Sequence, residues 1–166
     1  ESLFRSQILT IGVVFLAIMV MFSVLFRSLK IAFVAILPSM LASGSVLGLM
    51  GWLGIPLDVM TITIAAICIG IGVDHSIHYI HRFRSEISQQ ASAKIAIERS
   101  HASTGKAIFY TSIIIIFGFS ILGLSNFIPT IYFGIFTAFA MLIALIANLT
   151  LLPLLLLGIN SGKIKT

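Results

Sequence analysis

Charge is what this sequence has least of. Of 166 residues only 15 are charged, ten Lys or Arg and five Asp or Glu, which is 9% where a soluble domain carries about 25%. That shortage excludes a disordered chain, which stays open through high charge and low hydrophobicity. The single cysteine, Cys68, excludes an internal disulfide and a cysteine-based zinc cluster. No Ser/His/Asp set, HExxH or phosphate-binding loop occurs, so neither hydrolytic nor nucleotide-driven chemistry is expected and the chain reads as no enzyme. What abounds is apolar: 59% of the residues come from AVILMFWYC, with 13 Gly besides. A soluble fold of this length does not hide that much, whereas it matches five spans of about 20 residues, each enough to cross a bilayer.

Apolar runs place those spans at 8–26, 31–53, 60–80, 107–125 and 131–159, the last long enough to tilt or to kink near Pro153. The runs do not alternate and are about twice the length of barrel strands, which excludes a β-barrel. The expected fold class is therefore all-α, a polytopic membrane helix bundle, with residues 1–166 as a single transmembrane domain. Basic residues orient it. Arg27, Lys30, Arg82, Arg84, Lys94, Arg99, Lys106, Lys163 and Lys165 fall on one side, and Arg5 alone on the other. By the positive-inside rule the basic side is cytoplasmic, which gives an N-out, C-in, multi-pass protein of the inner or plasma membrane. The positive charges are thus topological signals, and no nucleic-acid partner is expected. An N-out start at Glu1 without a signal sequence implies an upstream span or exported domain, so the chain is expected to be a five-helix piece of a larger membrane protein. The connector 82–106 holds the only long polar stretch. Its Ile87, Ala91 and Ile95 recur at helical spacing, the pattern of a short amphipathic helix at the cytoplasmic interface, with a plain solvated connector as the alternative.

Small residues mark where helices can approach closely in lipid. Gly44 and Gly48 form a GxxxG step in the second span, and Gly70 and Gly72 precede the polar cluster of the third. These four are the candidate helix-packing positions. A lone GxxxG step is weak evidence for a homo-oligomer, which stays open.

Asp74 is the most informative residue. It lies inside the third span, roughly 12 Å from the basic boundary at Arg82, where an acid costs about 2.5–3.5 kcal/mol and is a functional hypothesis by default. At about 100° per residue, Gly70, Asp74, His78 and His81 share one stripe, while His75 points about 100° away. An acid at depth followed by two imidazoles, His78 and His81, toward water forms a candidate proton path, and Asp74, His78 and His75 are the candidate relay residues. From the fourth span, Thr111 and Ser112 reach a similar depth, and either hydroxyl can meet the Asp74 carboxyl if the two helices touch. The competing reading makes Asp74 a structural polar clamp. A metal or haem site is disfavoured because the other spans contain no His, and His101 sits in the connector.

The run Gly70-Ile-Gly-Val-Asp74-His-Ser-Ile-His78-Tyr-Ile-His-Arg82-Phe-Arg84 resembles the fourth or tenth helix of RND-superfamily permeases. It is closest to their MmpL-like hydrophobe-exporter branch, related to Patched and sterol-sensing domains. Met50-Gly-Trp-Leu-Gly-Ile-Pro-Leu-Asp58, Thr104-Gly-Lys-Ala-Ile-Phe-Tyr-Thr-Ser112 and Leu151-Leu-Pro153 carry the resemblance through most of the chain. It implies twelve spans in two halves, each with a large exported domain after its first helix, and this chain as the last five helices of one half. It further implies proton antiport, with protons as the coupling ion and no other cofactor, driving export of a lipid or other hydrophobic substrate. The acid of that mechanism falls on Asp74 and, less directly, its hydroxyls on Thr111 and Ser112. Two departures favour the lipid-exporter branch: drug pumps pair two acids where His75 stands here, and their other half uses an intramembrane Lys that these spans lack. The rival function is a sterol-sensing-like module that binds membrane lipid without transport.

Overall fold

The computed structural model describes residues 2–55, 59–89 and 92–161, and among them it contains helices and no strand. Glu1, Asp58, Ala91, Lys163 and Lys165, which entered the topology and connector readings, lie outside the described residues. The helices are α1 (Ser2–Phe26), α2 (Leu29–Trp52), α3 (Val59–Ser88), α4 (Ala93–Ser100), α5 (Lys106–Ile121), α6 (Ile128–Ile146) and α7 (Leu152–Ser161). Four continuous stretches are long and apolar enough to cross a membrane: Leu29–Trp52, Met60–Ser88, Ala93–Leu124 and Ile128–Ile159. With the 25-residue α1 before them, they give the five-helix bundle expected of the sequence.

In that bundle α2 lies between α1 and α3, and α6 packs against α2, α3 and α5. One apolar cluster, toward the basic end, joins Phe22, Ile36, Tyr79, Ile80, Phe83 and Leu152; a second, toward the other end, joins Val46, Met50, Ile64, Cys68, Phe136 and Ala140. Lipid tails are as apolar as these side chains, so close packing rather than escape from water holds the helices together. Two glycines allow the closest approaches. A Cβ on Gly72 would stand 2.6 Å from Ser39 Oγ across the α2–α3 contact, and one on Gly134 would stand 2.5 Å from the Phe119 carbonyl across α5–α6. At Gly44, Gly48 and Gly70 a Cβ would meet nothing, and all three are exposed. Of the four expected packing glycines, Gly72 alone packs inside this bundle, because the GxxxG step faces outward.

Three boundaries differ from the sequence reading. Helix α3 continues past residue 80 to Ser88, since Phe83, buried, and Ile87 prolong its inward stripe. The polar connector is helical over residues 82–88, as the end of α3, and over Ala93–Ser100, as α4, but α4 runs through a π-helical turn (His101–Gly105) straight into α5, so it stands as an extension of the membrane helix. It is fastened to α3 by Glu86, which is buried between Arg82 at 2.6 Å and Arg99 at 3.1 Å. The fifth span is continuous to Ile159, but a π turn (Ala147–Leu151) interrupts it just before Pro153. Proline has no N–H to donate to the carbonyl four residues back, and a π turn is one way to absorb that loss.

Candidate functional site

The middle of α3 presents two faces of opposite character. On the outer face the Asp74 carboxylate and His78 Nε2 stand 3.4 Å apart, one helical turn from each other, with their side chains 65% and 66% exposed. Gly70 and His81 share this face and are also exposed, so the stripe read from the helical wheel exists. It points out of the bundle. On the inner face His75 is buried, and its Nδ1 has no hydrogen-bond partner. One residue of rotation thus separates the exposed acid from a buried imidazole.

An open groove of about 810 Å3 runs between α3 and α5 toward the basic end, and its walls include Asp74, His75, His78, His81, Thr104 and Thr111. It exists because α5 packs mainly on α6 and approaches α3 at few points, Ile108 among them. Neither of the two candidate hydroxyls, Thr111 or Ser112, hydrogen-bonds the Asp74 carboxyl. Thr111 lies on the wall, and its hydroxyl donates to the carbonyls of Ala107 at 2.9 Å and Ile108 at 3.1 Å. Its oxygen keeps capacity to accept from a group in the groove. Ser112 turns the other way, fully buried, with an unpartnered Oγ. The groove thus gathers Asp74, His75, His78 and Thr111 and leaves out Ser112. Among the described residues no group of three or more His, Cys, Asp or Glu is placed to hold a metal ion.

Behind this site lies a polar seam that sequence reasoning missed. Ser76 donates to Asn148 Oδ1 at 2.9 Å, and Asn148 in turn donates to the Ala144 carbonyl at 2.9 Å. One turn on, the buried Tyr79 hydroxyl meets His101 Nδ1 at 2.5 Å, and His101 Nε2 meets the Leu149 carbonyl at 3.0 Å. A carbonyl only accepts, so the Nε2 carries a proton and donates, and in the singly protonated ring Nδ1 is then the acceptor for the tyrosine hydroxyl. Leu149 is the residue four before Pro153, whose carbonyl an α-helix would pair with the N–H that proline lacks. His101 is therefore a structural donor, not a solvated connector residue. The missing N–H at Pro153 was the signal in the sequence.

Comparison with known proteins places these features in context. The family model described as the MMPL family matches residues 1–162. MJ1562 of Methanocaldococcus jannaschii is 31% identical over 156 residues, covering 94% of this chain and 40% of that protein. YdgH of Bacillus subtilis is 29% identical over 165 residues, covering 96% of this chain and 18% of that protein. Their names say no more than that they are membrane proteins, and this chain spans less than half the length of either. No solved structure matches the chain.

Proposed function

Because this chain belongs to the MMPL family, we propose that it is the membrane part of a proton-motive-force-driven exporter of lipids or other hydrophobic compounds, with Asp74 as the proton carrier. The observation that carries the reading is the Asp74–His78 pair, 3.4 Å apart on the outer face of a membrane-spanning helix and open to the groove beside α5. A carboxylate that faces lipid is costly, by about 2.5–3.5 kcal/mol at mid-membrane. Protonation removes the charge and that cost with it, which gives the site two states of different preferred surroundings. His78 accepts or returns the proton from one helical turn away, and His81 continues the line to the basic end. His75, on the groove wall but turned inward, offers a second acceptor. Thr111 faces the line from across the groove and hydrogen-bonds the carboxyl when α5 closes on α3. Moving one proton down a potential of 100 mV releases about 2.3 kcal/mol, which in this reading drives the rocking of one repeat against another.

The exposed Asp74 face also supports a covering partner, the other six-helix half of the same protein, with exported domains supplying substrate capture. The basic end is the cytoplasmic one in this reading, and the membrane is the inner or plasma membrane. Transport by the full-length protein in proteoliposomes tests the proposal, with wild type beside Asp74→Asn. A pH gradient that collapses on adding the hydrophobic substrate, in wild type only, is the expected result. Identical traces from both would make Asp74 structural and return the fold to the lipid-sensing alternative.

A further inference from the structure

At the basic end of the bundle a second cavity, of about 510 Å3, opens where α1 gives way to α2 and α3 leaves the membrane. Its polar wall is Arg27, Ser28, Arg84 and Ser88, and its floor includes Phe83 and Leu156. Among the described residues no acidic one lines it. Among the described residues the carboxylates that form ion pairs are committed elsewhere, Asp74 to His78 and Glu86 to Arg82 and Arg99. Two guanidinium groups therefore share one cavity with no counter-charge among the described residues. Arg84 is held in place: one N–H donates to the Phe26 carbonyl at 3.0 Å, and its guanidinium lies 5.9 Å over the Phe26 ring. That use leaves most of its five donors free. Ser28 makes no capping bond to α2, and the Ser88 hydroxyl donates to the Ser85 carbonyl with its oxygen still able to accept.

An adjoining cavity of about 380 Å3 shares Phe26, Arg84 and Ser88 with this one, is lined also by His81 and Ser85, and extends to Leu25 beside Phe26 on α1 and to Ile77, about two turns deeper than Arg84 along α3. Paired cations and hydroxyls at the membrane boundary, joined to an apolar slot, form the negative image of an amphiphile with an anionic head. We propose that this is a binding site for an anionic phospholipid of the leaflet on the basic side. Its phosphate sits between Arg27 and Arg84, its head-group hydroxyls meet Ser28 and Ser88, and one acyl chain lies over Leu25 and Ile77. Guanidinium suits this task because its planar fork binds phosphate oxygens two at a time, and basic pockets between membrane helices hold lipid head groups on the same principle. A soluble anion would satisfy the arginines but would leave the slot at Leu25 and Ile77 unused.

Native mass spectrometry of the full-length protein tests the site, with phosphatidylglycerol, phosphatidylcholine and inorganic phosphate as probes. The expected result is retention of phosphatidylglycerol about tenfold over phosphatidylcholine, a difference of roughly 1.4 kcal/mol. Arg27→Gln should remove most of that preference and Arg27→Lys only part of it. Arg84→Gln should act likewise, but Arg84 also holds the end of α1, so Arg27→Gln decides if that variant fails to fold. Equal retention of the two lipids, or a preference unchanged in Arg27→Gln, would overturn the proposal. So would full displacement of phosphatidylglycerol by millimolar inorganic phosphate, which would assign the arginines to a soluble anion instead.

Discussion

His101 Nε2 lies 3.0 Å from the carbonyl oxygen of Leu149, a residue 48 positions further along the chain. The contact joins the two π turns, His101–Gly105 and Ala147–Leu151, and through Tyr79 it ties both to α3. A side chain here replaces the backbone donor that Pro153 cannot supply. The bundle is thus stitched near its basic end by these polar groups as well as by the Glu86 ion pairs, while the pair Asp74–His78 sits outside the stitching.

Replacing His101 with Ala leaves the Tyr79 hydroxyl without its partner and takes a donor from the Leu149 carbonyl, at an expected cost of about 1–3 kcal/mol. Pro153→Ala restores an N–H that can pair with Leu149, so the cost of His101→Ala should be smaller in that background. Thermal unfolding of the four proteins of this cycle in detergent measures the coupling. Additive effects would show that His101 is not answering the proline.

Gly72→Val should destabilise the α2–α3 contact by roughly 1–3 kcal/mol, the range for overpacking, because Ser39 occupies the space a Cβ needs. Gly44→Ala and Gly48→Ala should leave the melting temperature of this five-helix part within experimental error, since nothing stands near either position. A loss at Gly44 or Gly48 in the full-length protein alone would place a partner surface on that face.

Glu86→Gln removes the charge that gathers Arg82 and Arg99. Glu86 is buried but the two arginine side chains are 44% and 57% exposed, so water takes over their solvation. The expected loss is about 1–2 kcal/mol, near the range of a hydrogen bond to a charged group. Faster backbone amide exchange in α4 than in α6 would locate the loss at this clamp.

Asp74→Asn should abolish transport while shifting stability by no more than about 0.5 kcal/mol, the usual effect of an exposed substitution. Melting curves of wild type and variant, recorded beside the proteoliposome assay, separate a lost proton site from a lost fold. A large drop in melting temperature would make Asp74 a clamp.

Much of the architecture was legible in the residues. Span length and scarcity of charge give five helices, and the i, i+4 spacing puts Asp74 beside His78. The helical wheel also separates His75 from them. What it cannot give is which stripe of a uniformly apolar helix faces inward, because lipid and core accept the same side chains. For that reason Gly44 and Gly48 looked like packing positions and are exposed, while Gly134, whose small-residue step with Ala138 is no more conspicuous in the sequence, is the one that meets the Phe119 carbonyl. Thr111 and Ser112 were indistinguishable for the same reason, and only the orientation of α5 on α6 separates them. His101 was hidden differently. Its partner is a backbone atom, and only the missing N–H of a proline 52 residues away in the sequence announces the need for it.

The inner and outer faces of α3 divide two tasks that many proteins load onto one set of residues. Hydroxyls, an amide and an imidazole secure the helix inwardly, and none of those bonds involves position 74, whose charge alternates in the proposed mechanism. Fold and charge are separately adjustable, as in a machine whose moving contact can be worn, switched or replaced while the frame stays bolted.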